Sequence, residues 1–144
     1  MKQEEFSKEM WNCWRDISFA YSSFARKMGV DTSELYVVDA LWDEAEGLSQ
    51  RTICERCDMG KQTVSAICKR LGARDFVTAH PSEADKRERI MVLTDEGREW
   101  WSQSVERMRE LEVKAAESIT AKEVETFIKV VERYAKTFQE EVQR

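Results

Sequence analysis

One proline and five glycines are spread over 144 residues, and this shortage of helix breakers limits the fold more than any other feature of the chain. A sandwich or barrel of many short strands needs a turn signal about every 8–12 residues. Pro81 and the glycines at 29, 47, 60, 72 and 97 cannot supply that punctuation, so the expected fold is mainly α. The same glycine positions spell neither G-x-G-x-x-G nor a P-loop, which removes a glycine-rich nucleotide cradle from consideration. With 42% hydrophobic and 35% charged residues the chain can bury one core, and a single domain over residues 1–144 is expected.

Hydrophobic period divides that domain. Phe6, Met10, Cys13, Ile17, Ala20 and Phe24 recur at steps of four and three, which predicts a long amphipathic first helix ending at Gly29. Its apolar face is wider than one neighbouring helix needs, so a second copy of the chain is expected to cover it. Leu35, Val38, Leu41, Trp42 and Ala45 mark a second helix that stops before Gly47. Two short helices follow, separated by Asp58-Met59-Gly60. The first is expected to bury Ile53, Cys54 and Cys57, and the second to bury Val64, Ile67, Cys68 and Leu71. Gln62, Ser65, Ala66, Lys69 and Ala73 then face outward. Residues 76–80 and 89–93 read as two strands joined by a charged loop, Pro81 to Glu88. Helical period returns from Thr94, with Trp101, Val105, Met108, Leu111, Ala115 and Ile119 on one stripe. Thr120-Ala121-Lys122-Glu123 spells a capping box opening a last helix, whose apolar positions are Val124, Phe127, Val131, Tyr134, Phe138 and Val142.

Helix, glycine-containing turn, helix with a small polar outer face, then β-hairpin is the order of a winged helix-turn-helix. The stretch from Leu48-Ser49-Gln50 through Cys57-Asp58-Met59-Gly60-Lys61-Gln62-Thr63-Val64-Ser65 to Lys69-Arg70-Leu71 resembles the reading module of the MarR family of transcription regulators. Asp85-Lys86-Arg87, the apolar strand after it and Leu93-Thr94-Asp95-Glu96-Gly97 resemble that family's wing signature. The resemblance implies a homodimer paired through residues 1–30 and 98–144, with residues 31–97 reading double-stranded DNA. It implies DNA contacts from Lys61, Gln62, Thr63, Ser65 and Lys69 on the recognition helix and from Lys86, Arg87 and Arg89 on the wing. Asp85 is expected to pair with the Arg87 guanidinium, or with another wing arginine, and hold the tip in shape. Two departures stand out: Gly60 occupies the place of a serine-like cap, and Ala73-Arg74-Asp75 stands where the family has a glycine before the wing.

Other residues admit more than one reading. Trp14, Tyr21, Phe24, Tyr36 and Trp42 line an effector cavity if the family pattern holds, and form ordinary core if helical spacing alone is followed. Cys13 lies where one branch of the family carries a hydroperoxide-sensing thiol, yet its neighbours Trp11, Trp14 and Ile17 read it as a packed, inert one. Cys54-Glu55-Arg56-Cys57 is half of a zinc ligand set with no second half, so packing is expected and neither a metal nor a cofactor is. The only histidine, His80, falls in a wing strand without the partners a catalytic triad needs, and no enzymatic role is expected. No run approaches the roughly twenty apolar residues of a membrane span. MKQEEFSKEM lacks a signal-peptide core, which points to the cytoplasm and reduced thiols.

The net charge of −5 argues at first against a polyanion partner. Its distribution reverses that reading. Residues 47–98 hold ten Lys/Arg against eight Asp/Glu, whereas the remainder holds thirteen against twenty. A weakly basic head on an acidic body is expected, relying more on base and shape readout than on charge. A winged helix that binds protein instead of DNA is the competing class.

Overall fold

The computed structural model describes residues 2–144. Six helices and three strands follow one another as α1 (Gln3–Met28), α2 (Thr32–Trp42), β1 (Leu48–Ser49), α3 (Gln50–Cys57), α4 (Lys61–Ala73), β2 (Val77–Pro81), β3 (Arg89–Leu93), α5 (Asp95–Ala116) and α6 (Ala121–Val142). The chain divides into two compact units, Met1–Met108 and Arg109–Arg144.

The core lies in the first unit. Leu35, Val38 and Leu41 of α2, Ile53 of α3, Val64, Ile67 and Leu71 of α4, and Trp101 and Val105 of α5 are almost wholly buried. The three strands are antiparallel in the order β1-β3-β2, with Leu48 opposite Met91 and Ala79 opposite Met91 on the other side. Two glycines make this packing possible. A Cβ on Gly47, which has φ +77°, would overlap the Met91 carbonyl, and one on Gly97 would overlap the Phe76 carbonyl. Thr94 completes the join: its hydroxyl donates to the Asp75 carbonyl at 2.6 Å and accepts from the Gly97 N–H at 2.9 Å. The Leu-Thr-x-x-Gly signature is thus a device for seating α5 against the wing.

Several expectations need correction. β1 is absent from the sequence reading, because a two-residue strand has no period of its own and exists only through its pairing with β3. α2 stops at Trp42 and leaves Ala45 exposed in a turn, since the chain must reverse there to bring Leu48 beside Met91. Asp75 adopts a left-handed conformation (φ 58°), so the position where the family has a glycine keeps the glycine-like backbone with an aspartate in it. Within this chain α1 buries only Ala25, and Trp11, Trp14, Ile17 and Phe19 stand at least half exposed.

The second unit holds the end of α5 and all of α6. The capping box forms as expected, with the Glu123 N–H donating to the Thr120 hydroxyl and the Thr120 N–H donating to the Glu123 carboxylate. The Thr120 hydroxyl also donates to the Glu123 carboxylate at 2.7 Å, and this bond, followed by the one from the Thr120 N–H, holds the Glu123 carboxyl below its usual range. No residue of α6 is buried, and Phe127, Phe138 and Val142 are more than half exposed. Leu111, on the expected α5 stripe, and Ile119, just beyond the end of α5, are exposed as well, whereas Trp101, Val105 and Met108 are buried in the first unit.

Candidate nucleic-acid interface

The candidate surface is built on α3, the turn after it, and α4. Ser49 caps α3 by accepting from the Thr52 N–H at 3.1 Å. Ile53 then anchors the helix, and Asp58 turns the chain by taking φ 49°. The Cys54 carbonyl accepts from the N–H groups of both Asp58 and Met59, which closes the turn. Gly60 caps α4 with backbone alone, so the N–H groups at the start of α4 carry no side-chain acceptor. They suit an anion such as phosphate.

α4 splits its residues as its period requires. Val64, Ile67, Cys68 and Leu71 point into the core, while Lys61, Gln62, Thr63, Ser65, Ala66 and Lys69 are exposed. Among the described residues, the side chains of Lys61, Gln62, Thr63, Ser65 and Lys69 make no hydrogen bond or ion pair within the chain. The two arginines of the same helix region behave differently. Arg70 Nε donates to Glu34 Oε1 at 3.0 Å and Arg74 Nη1 donates to Glu34 Oε2 at 3.3 Å, the Glu34 side chain being only 9% exposed. Arg74 also lies over the rings of Phe76 and Trp100, at 4.5 and 4.6 Å. These arginines tie α4 to α2 and to the wing root. Sequence reasoning missed this clamp, because Glu34 sits in the first turn of α2, where an acidic residue is ordinary.

The wing carries Lys86, Arg87 and Arg89, all exposed. Asp85 corrects an expectation: its carboxylate accepts from the backbone N–H of Arg87 at 3.0 Å, not from the guanidinium. It shapes the tip as an Asx turn and leaves the Arg87 guanidinium unpaired among the described residues. The Ser82 N–H donates to the Glu88 carbonyl and the Glu88 N–H to the Asp85 carbonyl, each at 2.9 Å, which closes the loop. Between wing and helices lies a cleft of about 590 Å³ lined by Gln50, Arg51, Cys54, Glu55, Lys61, Asp85, Arg87, Glu88 and Arg89. His80 is exposed on β2, opposite Ile90, and its ring lies 3.4 Å from the carbonyl of its neighbour Pro81.

The five aromatic residues assigned to an effector cavity lie in different surroundings. Tyr21 and Tyr36 touch edge to face with ring centres 6.0 Å apart, and Phe24 packs half-buried against the core. Burial raises the Tyr36 hydroxyl pKa. Trp42 is itself core, with Arg98 stacked over it at 4.6 Å, and Trp14 is 66% exposed. Cys13 departs from its packed reading, being exposed within this chain, whereas Cys54 and Cys57 are half-buried and packed against the core as expected. Only Cys68 is buried, which pushes its thiol up to about 11. Among the described residues no group of His, Cys, Asp or Glu is arranged to hold a metal ion, and no helix is long and apolar enough to cross a membrane.

A sequence model of the MarR family matches residues 28–88, which run from the end of α1 to the wing tip. The matched segment resembles the MarR family of regulators. The HTH-type transcriptional regulator MgrA of Staphylococcus aureus is 30% identical over 95 residues, 65% of this chain and 63% of MgrA, so the match spans less than two thirds of that relative. A MarR family regulator from Neisseria meningitidis is 20% identical with a TM-score of 0.80, covering 99% of this chain and 98% of that one. The PcaV transcriptional regulator of Streptomyces coelicolor, solved in complex with its natural ligand, is 25% identical with a TM-score of 0.66, covering 86% and 89%. The likeness of fold to these regulators therefore extends beyond the matched segment, through α1, α5 and α6.

Proposed function

We propose that the chain is a sequence-specific DNA-binding transcription regulator acting as a homodimer on a pseudo-palindromic operator, as a repressor released by a small aromatic ligand. One observation carries the reading: the outward side chains of α4 and the Arg87 guanidinium are exposed without partners in the chain, while Arg70 and Arg74 are held by Glu34. A solvated charged face alone would not sort its cations in this way. In this reading Gln62, Ser65 and Lys69 meet base edges or phosphates in the major groove, Lys61 and Thr63 hold a phosphate at the start of α4, and Arg87 enters the minor groove. Lys86 and Arg89 contact backbone phosphates, and residues 1–144 act as one domain in the cytoplasm.

The exposed apolar residues of α1 and α6 support pairing of two copies, since a large uncovered apolar face marks an interaction surface. Two reading heads would then lie about 34 Å apart, one DNA turn. The Tyr21–Tyr36 contact is the part of the aromatic set that suits a flat ligand, and PcaV sets a precedent for ligand binding on this fold. The deciding experiment is fluorescence anisotropy with duplex from the region upstream of the coding sequence, at increasing salt. Affinity should fall linearly in log–log form with a slope near −0.9 per phosphate contacted. Salt-insensitive binding, or none to any duplex, sinks the DNA reading and favours the protein-binding winged helix.

A further inference from the structure

We propose that Cys54 and Cys57 form a reversible intramolecular disulfide at the end of α3, and that this bond opens the turn into α4. The two thiols are free and half-buried, three residues apart on one helix whose last residue is Cys57. Helix geometry puts their Cα atoms about 5 Å apart, inside the 4.4–6.8 Å range of disulfides. The Cβ atoms of such a pair lie about 5–6 Å apart, wider than the roughly 3.5–4.5 Å that the bond needs. Closure must therefore tighten or unwind the last turn of α3. Cys57 can move because it is terminal, and Asp58 after it has already left helical geometry.

Access sets the order of events. Cys54 lines the cleft between wing and helices, where a small reagent reaches it. Cys57 donates to the Tyr36 carbonyl at 3.6 Å. Burial, followed by the charges of Asp39 and Cys54, raises its pKa, and its place behind that contact leaves Cys54, on the cleft, as the thiol met first. The oxidant class is a low-molecular-weight disulfide. The Cys54 thiolate attacks one sulfur of RSSR, the S–S bond breaks, and one RSH leaves after taking up a proton. Cys57, giving up its proton, then attacks the Cys54 sulfur of the mixed disulfide and expels the second RSH. Two thiols are oxidised and one disulfide is reduced to two thiols.

The consequence follows from what holds the turn. Gly60 offers no side-chain cap, so the start of α4 rests on the Cys54 carbonyl and the bonds it accepts from Asp58 and Met59. Pulling Cys57 toward Cys54 breaks its bond to Tyr36 and distorts that acceptor. Residues 61–65, the front of the reading face, move with it. The same strain makes the bond easy to reduce.

The test uses the full chain carrying Cys13→Ser, which removes the exposed thiol. After treatment with glutathione disulfide and alkylation, trypsin cuts between Arg56 and Cys57, so the bond links peptide 52–56 to peptide 57–61. The expected product is that linked pair, lighter by two hydrogen atoms than the reduced pair, reversed by dithiothreitol and absent from Cys54→Ser and Cys57→Ser. A glutathione adduct persisting on Cys54, or linkage of Cys54 to Cys68, overturns the disulfide. Amide hydrogen exchange should quicken over residues 58–65 in the oxidised form; unchanged exchange overturns the effect on the turn. A third arm rests on the proposed DNA binding: oxidation should weaken duplex binding about tenfold, with Cys54→Ser, which cannot form the first mixed disulfide, insensitive. If the reduced protein binds no duplex, the DNA reading fails while the peptide and exchange arms still decide the disulfide.

Discussion

The Glu34 clamp makes a demanding prediction, because its worth can be worked from exposure. A hydrogen bond to an ionised group contributes about 1.5–3 kcal/mol when shielded from water. Arg70 and Arg74 are 53% and 40% exposed, however, so screening draws each pair toward the about 0.2–1 kcal/mol of an exposed ion pair. Glu34 is nearly buried and makes two such bonds, which places Glu34→Gln at about 1–2 kcal/mol of destabilisation. In urea unfolding followed by tryptophan fluorescence this lowers the midpoint by roughly 0.5–1 M at unchanged slope. A double-mutant cycle with Arg70→Met isolates the coupling, expected at about 0.5 kcal/mol or more. If the two single changes simply add, within about 0.3 kcal/mol, Glu34 is a bystander and the clamp argument is wrong. On the proposed function the same variant weakens duplex binding severalfold by loosening α4. The salt slope stays unchanged, since Glu34 touches no phosphate.

Three further outcomes follow from other parts of the molecule. Arg87→Ala should cost about 1–3 kcal/mol of operator binding without moving the unfolding midpoint, as the guanidinium holds nothing in the chain; an unchanged operator affinity removes Arg87 from the interface. Gly97→Ala should destabilise by about 2 kcal/mol or more, because its Cβ meets the Phe76 backbone, and a wild-type thermal midpoint would refute that packing. Glu123 has a depressed pKa in the folded chain, so its capping contribution is full above the ordinary carboxylate pKa and is lost as pH falls through the folded value. A carboxyl titration by NMR should show that low midpoint and its partial return in Thr120→Ala, whereas equal midpoints in the two proteins would rule out the hydroxyl as the main cause.

The exposed face of α4 was legible because a helix period needs only local order: Val64, Ile67, Cys68 and Leu71 define the buried side and leave Gln62, Ser65 and Lys69 outside. The capping box at Thr120 and Glu123 was legible for the same reason, both partners lying within one turn. The use of each cation was not legible. Arg70 and Lys69 are adjacent in the chain and equally basic, yet one is bound to a carboxylate 36 residues away and the other faces outward. Asp85 kept its expected place at the tip but acts on a backbone N–H in place of a guanidinium, a choice made by turn geometry.

Periodicity, breakers and caps therefore determined the helices and the wing strands, since each depends on side chains a few positions apart. Tertiary structure alone decided that Leu48 and Ser49 form a strand and that Gly47 and Gly97 must lack a Cβ. It also decided which arginines remain available. These facts depend on close approach between segments distant in the chain, where backbone contact and competition for a single buried carboxylate set the outcome.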